Sequence, residues 1–107
     1  VKAGAGTLVL DGVNTYTGDT VISNGTVRVA TNGALTFVIG ASGINNGVSG
    51  GGNLDAEGSF VIDLSGASTN GGDSWTIVAN TVAANYGTNF LVSGFNGAGG
   101  LWTNNTN

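Results

Sequence analysis

Asp55, Glu57 and Asp63 are the residues of this chain whose types and spacing come nearest to acid–base chemistry. Glycosidic bonds are cleaved by paired carboxyl groups, one protonating the leaving oxygen while the other acts as nucleophile or base. Asp55 and Glu57, two apart on an extended segment, would project from one face about 7 Å apart, close to a workable gap for such a pair. The competing reading is that all three are solvated outer-face residues that keep a weakly charged protein soluble and discourage edge pairing. No paired aromatics adjoin the acids, so no residue is expected to be catalytic. With no His and no Cys, the common zinc sites, the Cys nucleophile and the Ser-His-Asp triad are unavailable. Gly4-Ala5-Gly6 lacks the third Gly, the following helix and the Lys of a nucleotide-binding loop, and reads as a turn leading into a strand.

Asp11, Asp19 and Asp73 sit in Gly/Asn-rich turns and carry the oxygen chemistry that Ca²⁺ favours. Their spacing matches neither an EF-hand nor a tandem Asp-containing nonapeptide, and Asp in a turn more often bonds its own backbone. No metal and no other cofactor is expected. Trp75 and Trp102, with Tyr16 and Tyr86, could form a stacking platform for sugars if exposed. Trp75 keeps the two-residue period of Ile77 and Ala79, which places it on a buried strand face, while Trp102 is harder to place. The sequons Asn24-Gly-Thr26 and Asn104-Asn-Thr106 carry meaning only in a glycosylating source.

The chain that must position these residues has 107 residues, the length of one domain over 1–107. Its 40% apolar content argues against disorder, and Gly or β-branched residues interrupt every window long enough for a stable helix. Lys2 and Arg28 are the whole positive complement against a net charge of −4, so nucleic acid and acidic lipid are improbable partners. The longest apolar stretch, 34–41, is far short of the ~20 residues of a membrane helix. The absence of an initial Met fits a chain from which a signal peptide was removed, and equally an excised fragment.

Alternating runs predict short strands at 7–10, 20–23, 25–30, 34–39, 53–56, 59–64, 74–79, 89–92 and 101–103. Leu8 and Leu10 share one face, as do Val27 and Val29, and Phe60, Ile62 and Leu64. Asp11-Gly12, Asn24-Gly25, Asn32-Gly33, Asn46-Gly47, Asn70-Gly71 and Asn96-Gly97 supply turn residues that accept positive φ. Residues 49–52 read as a loose loop and 59–107 as an aromatic-rich closing half. Turn chemistry alone leaves two all-β architectures open: parallel strands joined by short corners, or an antiparallel sandwich or jelly roll.

The repeat-like segment 4–30 carries Gly4, Gly6, Leu8, Leu10, Gly12, Asn14, Tyr16, Gly18, Thr20, Ile22, Gly25, Thr26, Val27 and Val29. This pattern resembles the autotransporter-associated β-strand repeat, or passenger-associated transport repeat, of secreted bacterial surface proteins. Asp19 departs from it where a second Gly is usual. The resemblance implies a right-handed parallel β-helix, or β-solenoid, and an extracellular or cell-surface location, and no catalytic residue. The order of an alternating strand, Gly-Asp-Ser-Trp-Thr-Ile-Val and Tyr-Gly-Thr-Asn-Phe-Leu-Val-Ser-Gly-Phe also resembles the module that closes such repeats.

The expected role is a non-enzymatic structural module, either a passenger stalk or a self-assembling filament subunit. Its partners are then copies of itself or neighbouring repeats of the same protein. The expected joint is Val1, Ala3, Ala5, Leu8 and Leu10, in an apolar, Gly-spaced segment read as free at one end and so able to be donated as a strand. The alternative is an adhesin-like polysaccharide-binding module that uses Trp75 and Trp102.

Overall fold

The computed structural model describes residues 1–94, and all regular structure among them is strand. The strands are β1 (Thr7–Leu10), β2 (Val13–Asn14), β3 (Thr20–Val21), β4 (Thr26–Val29), β5 (Ala34–Val38), β6 (Val48–Ser49), β7 (Asn53–Ala56), β8 (Ser59–Asp63), β9 (Ala83–Tyr86) and β10 (Leu91–Ser93). They build sheet I in the order β1-β4-β7-β9, sheet II in the order β2-β5-β8-β10, and sheet III from β3 and β6. Every pairing between these strands is parallel, which departs from the antiparallel sandwich and agrees with the parallel alternative. The isolated bridges Lys2–Ile22 and Val48–Val78 extend sheet III to the remaining parts of the chain.

Over the described residues the chain therefore passes four times through sheets I and II in the same order. Leu8, Val27, Leu54 and Ala84 are successive register partners in sheet I, spaced 19, 27 and 30 residues apart. Asn14, Leu35, Phe60 and Val92 form the matching ladder in sheet II. Alternation decides which side is dry. Val27 and Val29 of β4, Leu54 and Ala56 of β7, and Phe60 and Ile62 of β8 are buried, while Arg28 is exposed and Asp55, Val61 and Asp63 are half-buried. Arg28 and Asp55 are register partners on the outer face, where opposite charges favour this alignment. Ile22, Leu35, Phe37, Ile39, Val48 and Val82 complete the core, each large side chain worth about 1.5–3 kcal/mol of burial. Phe60 packs edge-on against Phe37 and Phe90, both with centroids at 4.9 Å, and so ties the last three passes together.

The corners are tight. A Cβ on Gly33 would fall inside the van der Waals shell of the Leu10 carbonyl oxygen in the preceding pass, and one on Gly58 would meet the carbonyls of Ala30 and Gly33. Of the six Gly-containing turn pairs, those ending at 12, 33, 47 and 71 have no positive φ, so close approach rather than left-handed backbone accounts for Gly33. Residues 49–52, expected as a loose loop, form a close-packed corner: Gly50 takes φ +103° against the Ile22 backbone, and the Gly52 N–H donates to Ile22 O at 2.8 Å.

The expected strand at 74–79 reduces to the single bridge at Val78, and the segment instead closes a long connection. Strands β2, β6 and β9 form where alternation gave no sign of them. Trp102, the strand at 101–103 and Asn96-Gly97 lie outside the described residues.

Candidate functional site

The strands of the first pass, β1 and β2, form one edge of sheets I and II, as β9 and β10 form the other among the described residues, so they present unpaired backbone on one side. Their side chains follow from that position. Leu8 points to the same side of sheet I as Val27, yet it is 45% exposed where Val27 is 1%, because no pass lies over it. Val9, Val13 and Tyr16 are exposed on the same end of the molecule. Asn14 stands in the position that Leu35 and Phe60 fill in later passes, and its amide donates to Gly12 O and Ala34 O at 3.1 and 3.2 Å.

Of the expected joint residues, Val1 is 94% exposed, Ala3, Ala5 and Leu8 are exposed, and Leu10 is half-buried against the core. The segment is not free, however. The Lys2 N–H donates to Val21 O at 2.7 Å, the Ser23 N–H donates to Lys2 O, and β1 pairs with β4 along its length. The Lys2 ammonium caps the carbonyls of Ala3, Gly4 and Asn24. One edge of residues 1–10 is thus occupied by the chain's own second pass and the other is open. Sequence reasoning missed Val13, because 13–16 reads as a turn, and it read Tyr16 only as a possible sugar contact. The signal available was the Val13-Asn14 step immediately after Gly12, which repeats as Ala34-Leu35 after Gly33.

The carboxylates are dispersed. Asp55 lies on β7, Glu57 lies past its end against Gly87, and Asp63 ends β8 in the other sheet. Asp55 and Glu57 therefore do not lie on one strand. The Asp63 carboxylate accepts the Ser65 N–H at 3.0 Å, and the Ser65 hydroxyl and N–H hold it below the usual carboxylate range despite partial desolvation. Asp19 accepts the Gly47 N–H at 2.9 Å across to the next pass, and Asp73 accepts the Ser68 hydroxyl. Among the described residues no three His, Cys, Asp or Glu side chains gather as a metal site, and no buried side-chain nitrogen or oxygen lacks a partner. A shallow open depression of ≈ 330 Å³ is lined by Thr17, Gly18, Asp19, Val38, Gly40, Ile44, Asn45 and Asn46 and includes none of the three acids at 55, 57 and 63.

Trp75 is half-buried against the core, and its indole N–H donates to Ala41 O at 2.7 Å. Tyr16 is 44% exposed and shares a 2.7 Å hydrogen bond with the Thr20 hydroxyl. Among the described residues no helix is long and apolar enough to cross a membrane.

What the geometry defines is an all-β protein of parallel sheets whose distinctive surface is an open edge rather than a cleft. Residues 1–29 match the family model of the passenger-associated-transport-repeat, the repeat that the pattern at 4–30 resembles. No curated protein and no solved structure matches the chain.

Proposed function

We propose that this chain is a β-solenoid structural module of a secreted or cell-surface protein, a segment of a passenger stalk whose open edges meet further β passes. The observation that carries the reading is the order of the sheets: the chain returns to sheets I and II on each of four parallel passes, as a solenoid must. The right-handed sense follows from the general preference of parallel crossovers. The repeat match over 1–29 supports secretion and a structural rather than catalytic role. The scattered carboxylates, each bonded locally or standing alone, give an enzyme reading no support.

Electron microscopy and sedimentation of the purified chain over a wide concentration range test the proposal. A stalk segment sediments as a discrete species at every concentration. Fibres of uniform width would replace the stalk by a self-assembling filament of the same module. A saturable signal on a glycan array would overturn the structural role in favour of a polysaccharide-binding module, the reading in which Trp75 and Trp102 take part.

A further inference from the structure

Two corner positions recur in every pass. The residue before sheet I is Gly6, Gly25, Gly52 and then Val82, and the residue before sheet II is Gly12, Gly33, Gly58 and then Phe90. Each glycine carbonyl in the two columns accepts the N–H of the first strand residue in the next pass, as in Thr26 to Gly6 and Ala34 to Gly12, at 3.1 and 3.0 Å. In the second and third passes glycine is sterically required, since a Cβ would strike the pass before it. On Gly25 it would meet the carbonyls of Gly4 and Gly6, on Gly33 that of Leu10, and on Gly58 those of Ala30 and Gly33.

Gly6 and Gly12 occupy the same register positions, but a Cβ on either meets nothing within 4 Å, and neither has a positive φ. Open space alone is not distinctive, since Gly18, Gly51 and Gly71 have it too; those three lie in connections and not in the corner columns. Gly inside a β ladder weakens it unless another backbone comes close. Within residues 1–94 nothing lies within 4 Å of where a Cβ on Gly6 or Gly12 would stand, and the inward-facing Leu8 beside them is exposed.

Resting on the solenoid reading, we propose that the open face of the first pass is the seat of a further parallel β pass, with Gly6 and Gly12 as its docking corners. The occupant is a Gly-cornered repeat in the same polypeptide. A second copy of this chain is the poorer fit, because its last described pass has Val82 and Phe90 at the two corners, with Val82 buried and Phe90 packed against the core. That pass has a different corner outline from the three that carry glycine. The seated pass would present corner carbonyls to the N–H groups of Thr7 and Val13, and apolar side chains to Leu8 and Leu10.

The test compares glycine substitutions in two contexts. The first is the 107-residue chain. The second is the same chain preceded by a duplicate of residues 1–19, which preserves the 19-residue spacing of Leu8 and Val27. In the 107-residue chain, Gly6→Ala and Gly12→Ala are expected to leave the melting temperature unchanged or raise it by a few degrees, whereas Gly33→Ala lowers it. In the extended chain, the same two substitutions in the inner copy are expected to lower it by about 4 °C or more. The amides of Thr7 and Val13 should also exchange more slowly there than in the unextended chain.

Tolerance of both substitutions in the extended chain overturns the proposal, as does rapid exchange throughout the duplicate; either result leaves the structural module standing. Tolerance of Gly33→Ala would instead undo the stacked-pass reading itself. Dimers of the 107-residue chain that Gly6→Ala and Gly12→Ala dissolve would put a second copy on the face and overturn the assignment to the same polypeptide.

Discussion

Asn46 replaces with one side chain what a neighbouring strand would supply. Strand β2 pairs only with Ala34 and Leu35, which leaves the far half of β5 without a partner on that side. The Asn46 carbonyl oxygen accepts the Val38 N–H at 2.7 Å, and its amide donates to Thr36 O at 3.0 Å and Gly18 O at 3.4 Å. Asn46→Ala is expected to cost about 1–3 kcal/mol in chemical denaturation, the penalty for leaving such groups unpaired. Asn46→Asp should cost more at neutral pH than at acid pH, because a carboxylate cannot donate to the two carbonyls. Asp63 gives a second residue-level expectation. Its carboxyl is held below the ordinary range by Ser65, so the stability it confers is complete above the unfolded-state value of about 3.9 and is lost as pH falls through the lower folded value. Ser65→Ala should flatten that part of a curve of denaturation midpoint against pH. Neither role was legible beforehand: Asn46-Gly47 reads as a turn pair, and nothing local in the sequence tells that the Asn side chain reaches back across ten residues to Thr36.

At the scale of the strand, a single ladder contains both a core position and an unfinished one. Leu54 is fully buried in sheet I, and Leu54→Ala should cost about 2–5 kcal/mol. Leu8, two passes earlier in the ladder, is 45% exposed, and Leu8→Ala in the same chain should cost well under half as much. Denaturant midpoints for the two variants measure the difference directly. The strands legible in the sequence are those whose alternation is complete within the segment, such as Thr26-Val-Arg-Val29 and Ser59-Phe-Val-Ile-Asp63. Ala83-Ala-Asn-Tyr86 has little strand preference of its own and becomes β9 through pairing with β7. The opposite error falls at 74–79, where a good alternating pattern around Trp75 has no ladder beside it except at Val78. The parallel order rested on resemblance, since Asn-Gly corners serve hairpins equally well. Residues 1–10 were legible as an apolar, Gly-spaced segment, but their docking on Ile22 and β4 depends on residues some twenty positions away.

For the molecule as a whole, the four passes are unequal. The second and third are paired on both sides and contain most of the buried side chains, so their amides in β4, β5, β7 and β8 should exchange most slowly, and those of β1 and β2, paired on one side only, faster. Hydrogen exchange followed residue by residue checks that gradient; uniform protection across β1 and β4 would contradict it. The register spacings have a mechanical consequence as well. Because each pass contacts only the one before and the one after, tension applied to the chain ends can strip a single pass while its neighbours hold. Each such event would release 19 to 30 residues, or about 60–110 Å of extended chain, so a stretched molecule should yield in a short series of unequal steps and dissipate work at each one.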